Sequence, residues 1–166
     1  MGVLLARVDN RLVHGQVLVS WVPRLGVDTI LVVDRKLVDD PFQKSLLEGL
    51  GAPGLGIRLV TPESAVVLLG GELRNRKVLV LFAGIRQAVE AWDAGVAFSV
   101  LNLGNVHPTQ GSRGLTASVH LSAGDQADLC LLLSRGVRVE ARAVPADRSP
   151  DVGAAVRCAL RQGARP

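Results

Sequence analysis

Tyrosine is absent from this chain, and aromatic residues make up only 3% of its 166 positions. Single-stranded nucleic acids are held by stacking bases on such side chains, so the deficit argues against that class of ligand. Basic residues do not restore it. The formal charge of +4 comes from lysines and arginines scattered along the chain in runs no longer than two, which bears on solubility more than on a partner. Cysteine is scarce as well: Cys130 and Cys158 show no CxxC spacing, so inert packing in a reducing compartment is expected. The longest apolar runs, Ile30–Val33 and Val78–Ile85, fall well short of the roughly 18 residues that a membrane helix needs. Arg7 and Asp9 interrupt the N-terminal apolar run, and no basic region precedes it, so it does not read as a signal peptide. Together these absences predict a cytoplasmic protein.

Aliphatic residues are what the chain has in plenty. Hydrophobic residues reach 48%, and with so few aromatics the core must be Val, Leu, Ile and Ala. Such a core suits parallel strands buried on both faces. The length favours one domain, and 20% charged residues is too few for a disordered chain. Strand-like runs fall at 3–8, 29–34, 56–60, 77–82, 98–103 and 137–144, with a brief further run at Ser118–Leu121. Helix-like stretches lie between them. Asp39, Asp40 and Pro41 open one whose buried side is expected to be Phe42, Leu46 and Leu50. Thr61-Pro62 opens another that Gly70-Gly71 closes, and residues 84–94 form a third that stops at Gly95. Ser122 with Asp125 has the spacing of a capping box, and Gly136 ends the helix it starts. The alternation predicts an α/β fold, with an open, mostly parallel twisted sheet and helices on both faces, in a single domain.

Ligands of such sheets bind at the carboxyl ends of the strands. The first strand ends at Asp9, and an apolar helix pattern (Val17, Trp21, Leu25) begins just beyond. His14 sits at the joint, where a helix offers unpaired N–H groups and its positive dipole end. Imidazole is a good nucleophile near neutral pH, and a phosphohistidine can pass its phosphoryl group on. In that reading Arg11 clamps the oxyanion, the N–H groups after His14 bind it, and Asp9 orients the imidazole or Arg11. The plainer reading is a surface histidine that begins a helix, and position alone favours it. A metal site from His14, His107 and His120 lacks any close-spaced ligand pair. No GxSxG elbow supports a serine nucleophile, and the glycines of residues 51–56 precede a strand instead of following one. Residues 103–114 form a long polar, Gly-rich loop, a kind that is often functional.

Several segments, in order along the chain, resemble a known family. They are Arg7–Val17 followed by Trp21, Ile30–Asp34, Asp40–Leu46, Leu101–Asn105, Ser118–Ser122 and Gly136–Pro145. The family is the IIB subunit of the bacterial sugar phosphotransferase system, mannose/fructose/sorbose class. The resemblance spans residues 1–147 and leaves 148–166 as a C-terminal extension, expected to be helical. It implies an open, mostly parallel sheet with an antiparallel edge. It implies that His14 is the phosphoacceptor, with Arg11 and Asp9 beside it and Asn10, Gly15 and Gln16 lining the phosphate loop. It further implies a component of a protein-N(pi)-phosphohistidine–sugar phosphotransferase. His14 would accept a phosphoryl group from a phosphohistidine on a separate IIA protein. It would pass the group to a sugar at the IIC/IID membrane subunits, which would hold the domain at the inner face of the membrane. Neither metal nor organic cofactor is implied, and self-association stays open. His107 reads as an exposed loop histidine. A regulatory phosphoacceptor that signals sugar status without transport uses the same acceptor chemistry and is the alternative.

Overall fold

The computed structural model describes residues 2–156. Cys158, Leu160 and Arg161 to Pro166 lie outside the described residues. Strand β1 (Gly2–Asp9) leads through a loop into a π-helical stretch, Val17–Trp21, continued by α1 (Val22–Leu25). The wider turn lets Val22 N–H reach the Val17 carbonyl and brings Pro23, which has no N–H, into the first turn of α1. Then come β2 (Thr29–Val33), a 3-10 turn at Leu37–Asp39, α2 (Pro41–Glu48), β3 (Gly56–Val60) and α3 (Pro62–Gly70). The second half holds β4 (Lys77–Phe82), α4 (Ile85–Ala94), β5 (Val100–Asn105), β6 (Arg113–Gly114) and β7 (His120–Leu121). It closes with α5 (Ala123–Ser134) and β8 (Arg138–Ala141), after which Val152–Val156 start a further helix.

The expected punctuation holds. Asp40 caps α2 by accepting from the Phe42 and Gln43 N–H groups, and Thr61 caps α3. Ser122 and Asp125 form the full capping box of α5. Gly95 ends α4 at φ 107°, a left-handed conformation that few residues other than glycine adopt.

Six strands form one sheet in the order β3-β2-β4-β1-β5-β8. From β1 the chain steps towards β3; from β3 it turns back and steps towards β8. With right-handed crossovers this reversal puts helices on opposite faces. The aliphatic side chains accordingly form two layers. One joins Val17, Trp21 and Leu47 to Ile30, Val32, Leu59 and Leu81; the other joins Ala65, Ile85, Val89, Leu129 and Leu132 to Val8, Val80, Phe82 and Leu103. Val152 and Val156 are buried in the second layer. Among the described residues no helix is long and apolar enough to cross a membrane.

Two expectations are corrected. All pairings within the six-stranded sheet are parallel; the antiparallel pair is a separate ribbon of β6 and β7. The reason is that β8 is reached through α5, a crossover that returns the chain to the starting end of the sheet. The second correction concerns α2. Phe42 is 72% exposed, Leu46 53% and Leu50 41%, whereas Leu47 is the residue it buries. Phe42, Leu46 and Leu50 recur at four-residue spacing, as a buried stripe would, but the helix presents that stripe outward. Glu48 points back instead and accepts from the Leu59 N–H, covering part of the β3 edge.

Candidate functional site

β1 lies in the middle of the sheet beside the reversal of strand order, the place where ligands of open α/β sheets bind at the carboxyl ends of strands. Arg7 and Asp9 stand two residues apart on one face of this strand, and both are fully buried. Ionic side chains are rarely buried so completely unless paired, and these are paired with each other at 2.9 Å. The Arg7 guanidinium has five N–H donors, and each has an acceptor. Nε and Nη2 donate to Asp9 Oδ2, Nη1 to Asn102 Oδ1 at 2.6 Å and to the Arg142 carbonyl, and Nη2 also to the Ala143 carbonyl. Burial pushes the Arg7 pKa down, and the neighbouring Asp9 charge opposes that shift.

Space for this guanidinium comes from β5. Asn102 faces Arg7 across the β1–β5 ladder, and a bulge follows in which Asp9 pairs with Asn105, passing over Gly104. A Cβ on Gly104 would stand 1.9 Å from Arg7 Cζ, so only glycine leaves the slot open. Trp21 covers the group from the helix side, its ring centroid 5.1 Å from Arg7 Cζ and 5.6 Å from Arg142 Cζ. Its indole Nε1 donates to the Ala143 carbonyl at 3.0 Å. Arg142 in turn pairs with Glu140 at 2.5 Å, and Glu140 also accepts from Asn102.

The loop that carries His14 is built outward from Asp9. Asp9 Oδ1 accepts from Arg11 N–H at 3.0 Å, and the Asp9 carbonyl accepts from Leu12 N–H. Leu12 adopts φ 55°, the one left-handed non-glycine among the described residues. Leu12 and Val13 are buried in the same layer as Trp21, which anchors the loop and turns His14 back towards the strand end. His14 Nε2 lies 3.0 Å from Asp9 Oδ2, the same oxygen that Arg7 holds. Its Nδ1 is shielded and has no hydrogen-bond partner. The His14 carbonyl accepts from Leu18 N–H, so the histidine stands at the head of the helix, where no side chain caps the first turn.

Of the residues expected around His14, the structure brings Asp9 into direct contact with it. Arg11 is exposed, and its guanidinium pairs with no group among the described residues. Asn10 joins three strand ends: its amide donates to the Ala83 carbonyl, its carbonyl oxygen accepts from His107 N–H, and its backbone N–H bonds Asn105. Gly15 is exposed with open space around it, and Gln16 follows in the first helical turn. His107 is exposed and His120 lies against Gly114. Among the described residues no cluster of three or more His, Cys, Asp or Glu could hold a metal ion. Cys130 is a free, half-buried thiol whose pKa burial pushes up.

A parallel α/β domain whose central strand delivers a buried Arg–Asp pair to a histidine loop defines the class of protein. The particular family follows from comparison: residues 3–163 match the family described as the PTS system sorbose subfamily IIB component, and the chain belongs to it. It is 33% identical to the sorbose-specific EIIB component of Lacticaseibacillus casei, over 92% of this chain and 93% of that protein. It is 32% identical to the N-acetylgalactosamine-specific phosphotransferase enzyme IIB component 1 of Escherichia coli, over 90% and 96%. The crystal structure of the IIBSor domain of the sorbose permease from Klebsiella pneumoniae superposes with a TM-score of 0.85 at 27% identity, covering 95% and 97%.

Proposed function

We propose that this IIB component is a phosphocarrier and that His14 carries the phosphoryl group. The observation that supports this most directly is the division of labour on the imidazole. Nε2 is engaged by Asp9, and Nδ1 has no partner and is left to act as the nucleophile. In the forward step the groups that shield Nδ1 in the resting chain move aside, and its lone pair attacks phosphorus on a phosphohistidine of a IIA protein. The donor P–N bond breaks and its electron pair returns to the donor imidazole. The His14 ring becomes cationic as the new P–N bond forms, and the Asp9 carboxylate beside Nε2–H stabilises that charge. Arg11, free at the rim, turns onto the phosphoryl oxygens, and the first N–H groups of the helix, at Gly15 and Gln16, add to the cradle. Asn10 holds the loop in register. The group then passes to a sugar hydroxyl during uptake through IIC/IID subunits, with the domain held at the cytoplasmic face of the membrane. In this reading residues 1–147 carry the site, and the 148–166 extension packs back onto the core through Val152 and Val156.

Incubation with a purified, phosphorylated IIA protein tests the assignment. The expected result is one phosphoryl group per chain, acid-labile and mapped to His14 by peptide mass spectrometry. Acid-labile labelling of His14→Ala to the same extent would overturn it.

A further inference from the structure

Asp9 can hold the His14 Nε2–H only if a carboxylate is tolerated in a site closed to water. A buried ion without a partner is neutralised or moves away. Arg7 supplies the partner, and it does so in a position that nothing in the transfer reaction itself requires, since the guanidinium reaches neither solvent nor His14. All five of its N–H donors are fixed, on Asp9, Asn102 and the carbonyls of Arg142 and Ala143. Gly104 leaves the volume it fills, and Trp21 closes the other side. Hydrogen bonds run without a break from Asn102 on β5 through Arg7 and Asp9 on β1 to His14 in the loop.

We propose that Arg7 is a positioning residue of the transfer site. Seated in the slot left by Gly104, it fixes Asp9 Oδ2 so that His14 is held by Nε2 and attacks through Nδ1. The proposal rests on the phosphocarrier reading of His14. It assigns to Arg7 the choice between two ring nitrogens that are otherwise both competent. With Arg7 gone, Asp9 loses its counter-charge, releases Nε2, and either nitrogen becomes free to attack.

The regiochemistry of labelling reads this out. Potassium phosphoramidate, a small chemical donor to imidazoles, replaces the protein donor so that docking does not enter. The full chain and the variants Arg7→Met, Arg7→Lys and Gly104→Ala are labelled, and phosphorus and nitrogen NMR identify the phosphorylated nitrogen. The unaltered chain is expected to carry phosphate on Nδ1 alone. Arg7→Met and Gly104→Ala are expected to label roughly 10- to 100-fold more slowly at Nδ1, with a share of label on Nε2. Arg7→Lys, which keeps the charge, is expected to restore Nδ1 preference in part. A merely structural role would lower the melting temperature without changing the labelled nitrogen.

Folded variants that label at Nδ1 alone, at the rate of the unaltered chain, would overturn the proposal and leave the carrier reading intact. If the variants do not fold, the tautomer of His14 in the unaltered, unlabelled chain decides. A single tautomer with the proton on Nε2 supports the proposal, and a mixture overturns it. Failure of the unaltered chain to take label on His14 from a phosphorylated IIA protein overturns the carrier reading, and this proposal with it.

Discussion

Asn10 donates its side-chain amide to the Ala83 carbonyl at 2.7 Å, tying the loop after β1 to the loop after β4. The same side chain accepts from His107 N–H, so one residue spans the ends of three neighbouring strands. Asn10→Ala is expected to cost about 1 kcal/mol, the scale of a partly exposed hydrogen bond, and to lower the thermal midpoint accordingly. Hydrogen exchange of the 10–15 loop should rise in parallel. An unchanged exchange profile would show that the three loops hold together without it.

Asp9→Asn keeps the shape of the side chain and removes the charge that balances the cationic ring in the proposed transfer. The rate of His14 phosphorylation by a IIA protein is expected to fall on the order of 100-fold, the span typical of a lost proton-holding group. Stability should fall as well, by about 3–5 kcal/mol, because the Arg7 guanidinium is left buried without its counter-charge, so the rate is read under conditions where circular dichroism shows the variant folded.

Arg11 behaves differently, since its exposed guanidinium contributes nothing to the resting packing. Arg11→Gln is expected to leave stability within about 0.5 kcal/mol of the parent. Transfer should nevertheless drop on the order of 100-fold, as when one charged donor to a developing oxyanion is removed. A variant that lost stability instead would place Arg11 in the fold and not in the chemistry.

The outward stripe of α2 makes a paired prediction. Leu47→Ala should cost about 2–5 kcal/mol, the range for a buried leucine. Leu46→Gln, one position away, should change stability by no more than about 0.5 kcal/mol. Chemical denaturation of the two variants side by side checks which face of the helix is the inner one.

Four-residue spacing alone could not decide that face. Phe42, Leu46 and Leu50 are spaced as a core stripe would be, yet it is Leu47 that the helix buries and Glu48 that bonds the β3 edge. The α/β class was legible because the strands are continuous aliphatic runs and the helices carry explicit caps at Asp40, Thr61 and Ser122. His14, Asp9 and their neighbourhood at a strand end were legible for the same reason. Arg7 was visible as a charge inside an apolar strand, and its spacing from Asp9 is the signal that the two share a face. What the sequence could not reveal is its long-range company. Asn102, Gly104 and Ala143 meet Arg7 only once β5 is laid beside β1 and the segment after β8 is brought to the same end of the sheet, and a slot made by a missing side chain leaves no local pattern.

Asp128 offers a prediction about pH. It is buried between α4 and α5 with Arg86 at 2.7 Å, and burial raises its pKa despite that cation. The folded state therefore holds the proton more tightly than the unfolded chain does. Across the interval from the ordinary aspartate value up to the raised one, stability falls as pH rises, and at neutral pH the cost is present in full. Asp128→Asn is expected to be more stable than the parent at neutral pH and to lose that advantage once the solution is acidic enough to protonate Asp128 in both states. Thermal melts across the acidic range test the sign.

On the proposed carrier reading, Trp21 gives the domain an optical gauge of phosphorylation at His14. The chain has 2 tryptophans. Trp92 sits edge-on to Phe98 in the opposite layer, far from the loop in both packing and connectivity. Trp21 instead has the guanidinium groups of Arg7 and Arg142 at 5.1 and 5.6 Å from its ring centroid, and its ring responds to the electric field they set. A dianion arriving at His14 alters that field with no added dye or label. The emission of the unmodified protein should therefore shift as the carrier is charged and return as it is discharged, so that turnover can be followed in real time by fluorescence.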